Sequence, residues 1–311
     1  MVEKGYCPNC KTWRSAIPIP AAPVILGPRV QKYVGYYSVI CRLSLSQTQQ
    51  LLLDTHCIHI SQGEIAKILK RQALLHRKDY EELKVKIRGS PIVHLDETGW
   101  KLLKDASRTF AWSMSTPEGA SVYLVGESRG KGNVAKLLGD AYQGVAVTDD
   151  YAAYDTLPNH QLCWAHLLRK FRELAQSGEV AADTQAHYQT QYQQLAGIYT
   201  AVRDRRGTAD IFTAQLQTLA THAPQDGKKL RTLKTTLAQN VSKYLTCLQD
   251  TQIPLTNNQA ERSLRHLVLK RKISFGSHSK DTAEYFAILL SVLMSQRRQN
   301  PTGWFGEFVG V

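Results

Sequence analysis

Six cysteines among 311 residues, at positions 7, 10, 41, 57, 163 and 247, are too sparse and too irregular for a disulfide framework. Acidic residues are also in short supply: 26 Asp and Glu stand against 39 Lys and Arg, a formal charge of +13. That imbalance exceeds what an acidic small-molecule substrate needs and points to a polyanionic partner such as nucleic acid. No apolar run reaches the roughly eighteen residues of a membrane span, and the opening MVEKG lacks the apolar stretch of a secretion signal, so a cytoplasmic protein with no membrane partner is expected. Internal repeats and low-complexity tracts are missing too. The composition that remains, 43% hydrophobic against 21% charged, is too apolar for a disordered chain, and the length allows two compact domains.

Residues 1–40 hold Cys7 and Cys10, spaced CPNC, and the stretch AIPIPAAPVILGP. Each proline disfavours helix in the residue before it, so this stretch reads as an extended linker. CPNC is half of a zinc ribbon. A closed tetrahedral site needs four ligands and Cys41 has no near partner, so zinc is not assigned, and two thiols at a frayed end fit equally well. Residues 41–90 turn helical: Ser46 is the expected cap of QTQQLLLD, and Ser61 with Glu64 forms a capping box opening a helix that buries Ile65, Ile68 and Leu69. Two short helices about a tight connection suggest a helix-turn-helix. Lys67, Lys70 and Arg71 fall off the apolar stripe, as a DNA-docking face requires, although a solvated basic face gives the same pattern.

After Gly89, Ser90 and Pro91 the pattern changes to strands. IVHLDE, TFAWSMST and SVYLVGES, divided by Lys/Asp/Ser and Pro-Glu-Gly turns, predict a three-stranded antiparallel meander. NVAKLLGDAY is a helix, GVAVTDDY a nearly continuous apolar strand of the kind covered on both faces, and HQLCWAHLLRKFREL a strand running into an amphipathic helix. The expectation is an α/β fold, a mixed sheet flanked by helices, over residues 91–174 and 253–311. Residues 175–252, rich in Gln, Ala, Thr and Leu, read as an all-helical insertion. Thr256 and Gln259 form a T-x-x-Q box opening NNQAERSLRHLVLKR, and DTAEYFAILLSVLMSQRR is a last apolar helix.

Asp96 and Asp149 each end an apolar strand. A carboxylate there is costly to desolvate unless paired, hydrogen-bonded or bound to a metal, so two of them invite a cation; turn capping is the alternative for each. Glu261 sits early in its helix, where an acid also complements the dipole. Asp149 lies 53 residues after Asp96, and Glu261 follows 112 residues later. Cys163 and His166, spaced C-x-x-H, cannot make a metal site unaided and are assigned a supporting role, with packing as the alternative. Arg129 and Lys131, before a helix start, could hold a phosphate, and no Walker loop is present. Arg262, Arg265, Lys270, Arg271 and Lys272 flank Glu261 and could track a DNA backbone. Trp100, Trp112 and Trp164 read as core.

Taken together, HLDETGW, VTDDYAAY, LCWAHLLRKF and PLTNNQAERSLR resemble the DDE transposases of the insertion-sequence-66 family, from about residue 90 to the carboxyl end and more loosely upstream. The acids follow the order found in ribonuclease H-like nucleotidyl transferases. The resemblance implies a ribonuclease H-like core with Asp96, Asp149 and Glu261 as a catalytic triad that binds two magnesium ions, or manganese in their place. It implies cleavage at element ends and transfer into target DNA in the bacterial cytoplasm or nucleoid, by a homo-oligomer on DNA, with accessory proteins of the same element as further partners. It also implies a zinc segment with two cysteine knuckles, of which this sequence holds only what resembles the second, leaving a truncated start and a decayed element as alternatives. A decayed DNA-binding protein and a structure-specific DNA nuclease are the rival functions.

Overall fold

A computed structural model describes residues 4–15, 26–104, 108–139, 141–178 and 180–310. Most of the proline-rich stretch and the Lys/Asp/Ser turn near residue 106 lie outside the described residues. At the amino end β1 (Lys4–Cys7) pairs antiparallel with β2 (Thr12–Ser15), so Cys7 closes a strand and Cys10 lies in the turn.

Helix begins earlier than the sequence suggested. Helix α1 (Pro28–Gly35) starts with a proline at its first turn, where the missing N–H costs nothing, and runs on as a π-helical turn through Ile40. Helix α2 (Leu45–His56) is capped by Ser44 rather than Ser46, because Ser44 and Gln47 satisfy each other's backbone N–H groups. In α3 (Gln62–Leu75) Ser61 accepts from the Glu64 N–H as expected, but the return half of the capping box is not made, because the Glu64 carboxylate pairs with Arg71 and Lys67. Val34, Leu52, Ile65 and Ile68 form a small core joining α1, α2 and α3. Helix α4 (Arg77–Arg88) then leads into the sheet.

The main sheet contains β3 (Ile92–Lys101), β4 (Arg108–Ser115), β5 (Ser121–Gly126), β6 (Val145–Thr148) and β7 (His160–Leu162), in the spatial order β5-β4-β3-β6-β7. The first three make the antiparallel meander; β6 and β7 add in parallel on the other side of β3. Helix α5 (Gly132–Leu138) crosses between β5 and β6, and α6 (Trp164–Ala175) follows β7. Three further helices, α7 (Ala182–Arg203), α8 (Ala209–Ala220) and α9 (Lys228–Leu245), share a core with α6 built on Trp164, Phe171, Leu195, Phe212, Leu216 and Leu237. Within it Asp226 accepts from the Ala223 N–H, from His187 and from the buried Lys234, and against the opposing effect of burial these hold its carboxyl below the usual range.

Helix α10 (Asn258–Ser274) lies along β3 and β4, and α11 (Lys280–Gln299) covers β5, whose free edge N–H groups on Ser121 and Tyr123 donate to Ser295 and Ser291. A short α12 (Trp304–Val309) ends the described chain. Between α10 and α11, Gly276 has φ +123° and packs so close to the Lys101 carbonyl that a Cβ would lie 2.1 Å from its oxygen. Trp100, Trp112 and Trp164 are all buried. Among the described residues no helix is long and apolar enough to cross a membrane.

His266 of α10 donates from Nε2 to the Val39 carbonyl and accepts at Nδ1 from Arg42, locking the N-terminal helices to the core. Burial pushes its pKa down to about 4. An unfolded imidazole titrates near 6.5. Between these values the unfolded chain binds a proton that the folded chain refuses, so this contribution is complete above about pH 6.5 and is lost as pH falls toward 4. His266→Gln, which cannot charge, is therefore expected to lose less melting temperature than wild type on acidification through that window; equal losses would show that the ring is not held neutral.

Candidate active site

The parallel pairing of β3 with β6 ends at His94 opposite Val147. Asp96 and Asp149 each lie two residues beyond that last pair, so the register delivers both acids side by side where the adjacent parallel strands part. Each uses one carboxylate oxygen locally: Asp96 Oδ1 accepts from the Glu97 N–H at 2.8 Å, and Asp149 Oδ1 from the Tyr151 N–H at 3.1 Å. These local bonds occupy one oxygen of each carboxylate, and among the described residues no hydrogen bond to the other oxygen is seen.

Glu261 arrives on α10, and what brings it there is Asn257, a fully buried residue that the sequence did not single out. Its Oδ1 accepts from His94 Nδ1 at 2.9 Å, its Nδ2 donates to the Leu95 carbonyl at 2.7 Å, and its N–H donates to Cys163 Sγ at 3.1 Å. The expected Thr256–Gln259 capping box does not form, because the helix starts one residue later and Gln259 turns to the Thr116 carbonyl. One side chain thus ties the first turn of α10 to the strand of Asp96, while its backbone ties it to the start of α6. Cys163 is buried, and burial pushes its thiol up.

His166, in the first turn of α6, stands 3.7 Å from Glu261 through Nε2, and its buried Nδ1 has no hydrogen-bond partner among the described residues. Its field also acts on Asp149. Burial, then the charges of Glu97 and Asp149 and, more weakly, Glu261, push the Asp96 carboxyl up to about 8. Burial likewise raises Asp149. A cluster with this surplus of negative charge and half-open carboxylates has the donor chemistry of a hard divalent cation. Among the described residues, no three His, Cys, Asp or Glu side chains are gathered closely enough to hold a metal ion as they stand.

Glu97, the neighbour of Asp96, is a site feature the sequence reading passed over. Its carboxylate is paired to Arg129 and accepts from the Tyr154 hydroxyl. Only its place in DET, beside an acid, hinted at more than a surface role; the strand expected to end at Asp96 runs on to Lys101, where it stays paired with β4. Asp150, the neighbour of Asp149, is paired with Lys170 of α6.

The basic residues separate into groups. Arg262, Arg265 and Lys272 are exposed on α10. Lys270 is not: it is buried and donates to the Arg42 and Leu43 carbonyls, because α10 packs the N-terminal segment on the face that carries it, so it is withdrawn from the DNA-facing set. Arg271 reaches back to Thr98 and the Gly99 carbonyl. Lys67, Lys70 and Arg71 are exposed on α3, with Lys67 and Arg71 both beside Glu64 and Lys70 over the Tyr285 ring. Lys131 is exposed, whereas Arg129 leaves the start of α5 to meet Glu97.

A family model described as "Transposase IS66 family" matches residues 32–285. That span includes all the acids of the cleft. An uncharacterized protein of Sinorhizobium fredii (strain NBRC 101917 / NGR234), y4jD, is 25% identical over 267 residues, which cover 73% of this chain and 51% of the relative. The chain therefore spans about half the length of that curated relative.

Proposed function

Because the chain belongs to the IS66 transposase family, we propose that it is a DNA transposase that cuts phosphodiester bonds at the ends of its element and joins those ends to target DNA. The observation that carries this reading is the register of β3 and β6, which sets Asp96 and Asp149 together at the mouth of the sheet with Glu261 held nearby. The strand order, three antiparallel and then two parallel, supports a ribonuclease H-like core, with α7 to α9 as an insertion before the last acid. Helices α2 and α3 are assigned to DNA docking, and residues 1–40, 41–90, 91–174 with 253–311, and 175–252 to separate duties as the sequence suggests.

Asp96, Asp149 and Glu261 are the residues to hold magnesium, or manganese, which when bound supplies Lewis acidity to the attacking and departing oxygens of an in-line displacement. The chain's own work is arrangement. Asp96, whose carboxyl is pushed up to about 8, would hold such a cation through its ionised form, which a nearby positive charge would favour. Asn257 fixes the helix that carries Glu261, and His166 sits where it can steady both Glu261 and Asp149. Arg262, Arg265 and Lys272, on the same helix, offer the DNA backbone a cationic track.

The test is incubation of the full chain with Mg²⁺, a duplex bearing the terminal repeat that flanks its coding sequence, and a target plasmid. Cleavage leaving 3′ hydroxyls, followed by joining, is expected, and chelation should stop it. Binding without cleavage in either metal would replace this reading with a DNA-binding remnant, and cutting of branched DNA regardless of terminal sequence would replace it with a nuclease. His166→Gln is expected to slow cleavage about tenfold to a hundredfold with duplex affinity kept; unchanged single-turnover rates would reduce His166 to packing.

A further inference from the structure

Arg129 leaves the connection between β5 and α5 and lays its guanidinium 3.8 Å over the Tyr151 ring. Its Nε donates to Glu97 Oε1 at 2.7 Å, and a terminal nitrogen lies 2.5 Å from the same oxygen. The Tyr154 hydroxyl donates to the other Glu97 oxygen. The Glu97 side chain is 1% exposed and that of Arg129 is 42%, so the ion pair has one sealed end and one open end. Tyr151 in turn donates its backbone N–H to Asp149. The ring carrying the guanidinium is thereby fastened to an acid of the cleft, and the acid gripping it is next in sequence to Asp96.

An acid at position 97 is expensive. It is taken out of water, and it adds to the repulsion felt by Asp96. A purely structural requirement here would be met by an amide or an apolar side chain at lower cost. What the carboxylate supplies is direction: the planar guanidinium is pinned at one edge by Glu97 and across its face by Tyr151, while the side chain stays partly exposed and keeps N–H donors beyond that edge for another partner. A fixed fork of this kind suits a phosphate, which it can grip through two parallel hydrogen bonds.

We propose that Glu97 is a positioning residue that holds Arg129 at the lip of the cleft, where the open edge of the guanidinium binds a phosphate of DNA seated at Asp96 and Asp149. This rests on the transposase reading and adds to it a phosphate clamp with its own support. Arg129 contacts the substrate; Glu97 acts through it. The sequence reading placed Arg129 with Lys131 at a helix start, but the side chain has turned away from α5 toward the acids.

Two measurements on the full chain test this. In the first, duplex DNA binding is followed against salt for wild type, Arg129→Ala and Arg129→Lys. A phosphate contact made by Arg129 should remove about one unit from the salt slope in the alanine variant and restore it in the lysine variant. An unchanged slope in Arg129→Ala overturns the clamp. In the second, single-turnover cleavage of the terminal-repeat duplex in Mg²⁺ is compared for wild type, Glu97→Gln and Arg129→Lys. Both variants should cleave about tenfold to a hundredfold more slowly with duplex affinity within about threefold of wild type, since the cation is kept and only its placement is lost. If Glu97 merely added negative charge, neutralising it would tighten binding and leave the rate equal or higher; that outcome overturns the positioning role. Thermal melts establish that each variant is folded at the assay temperature. A wild type that cleaves no ends would refute the transposase reading, whereas the salt slope would still decide the phosphate contact at Arg129.

Discussion

Asp96→Asn is expected to lower Mg²⁺-dependent cleavage on the order of a thousandfold while duplex affinity stays near wild type, and at the same time to raise the melting temperature of the metal-free chain. The two effects have one cause. Asp96 is half-buried, and that burial with the charges of Glu97, Asp149 and, more weakly, Glu261 pushes its carboxyl up to about 8. The same carboxyl in the unfolded chain titrates near 3.9. Between those values the folded chain keeps a proton that the unfolded chain has released, so stability falls as pH rises from about 4 to about 8 and levels off above. Asparagine has the same shape and no charge to desolvate, so the variant loses this part of the slope. It also loses the charge a cation needs. Mg²⁺ should raise the melting temperature of wild type, more at pH 8 than at pH 6, and should do little for the variant. Melting curves of the two proteins across pH, with and without Mg²⁺, check this; equal responses to the metal would remove Asp96 from the cation site, whatever the cleavage rates.

The meander, the crossover helix, the two apolar strands and the long terminal helices could be read from alternation and helical spacing, because those patterns record which face of an element is covered. Asp96 and Asp149 stood out for a related reason: each is an acid on an otherwise apolar strand. What covers a face is less legible. Helix α10 looked like a one-sided helix with a basic outer face, yet His266 and Lys270 are also buried, because the N-terminal segment lies on it, and Ser263 is buried where Arg298 of α11 meets it. The start of that segment was missed as well, since a proline-rich run hides a helix whose first turn tolerates proline. Glu97 and Arg129 are 32 residues apart, and His94 and Asn257 are 163 apart. No local period links such residues. Only the folded sheet makes a positioning residue out of an unremarkable Asn.

That residue carries the largest expected structural effect. Asn257→Ala should destabilise the chain by about 2–6 kcal/mol, the sum for two buried groups, His94 Nδ1 and the Leu95 carbonyl, each left without a partner at about 1–3 kcal/mol. The backbone bond from residue 257 to Cys163 Sγ survives the substitution, so α10 stays roughly in place but loses its tether to the strand of Asp96. Glu261 sits on the first turn of that helix, where displacement of about an ångström is enough to cost a hundredfold in rate. Cleavage measured well below the variant's melting temperature should therefore remain depressed even though the protein is folded, with duplex affinity largely kept. Asn257→Asp separates the two bonds: it still accepts from His94 but cannot donate to Leu95, and it places another negative charge near the acids. It should melt higher than the alanine variant in the presence of Mg²⁺ and still cleave slowly. If the folded alanine variant cleaved at the wild-type rate, Glu261 would be set by α10 packing alone, and Asn257 would matter to stability without mattering to the cleft.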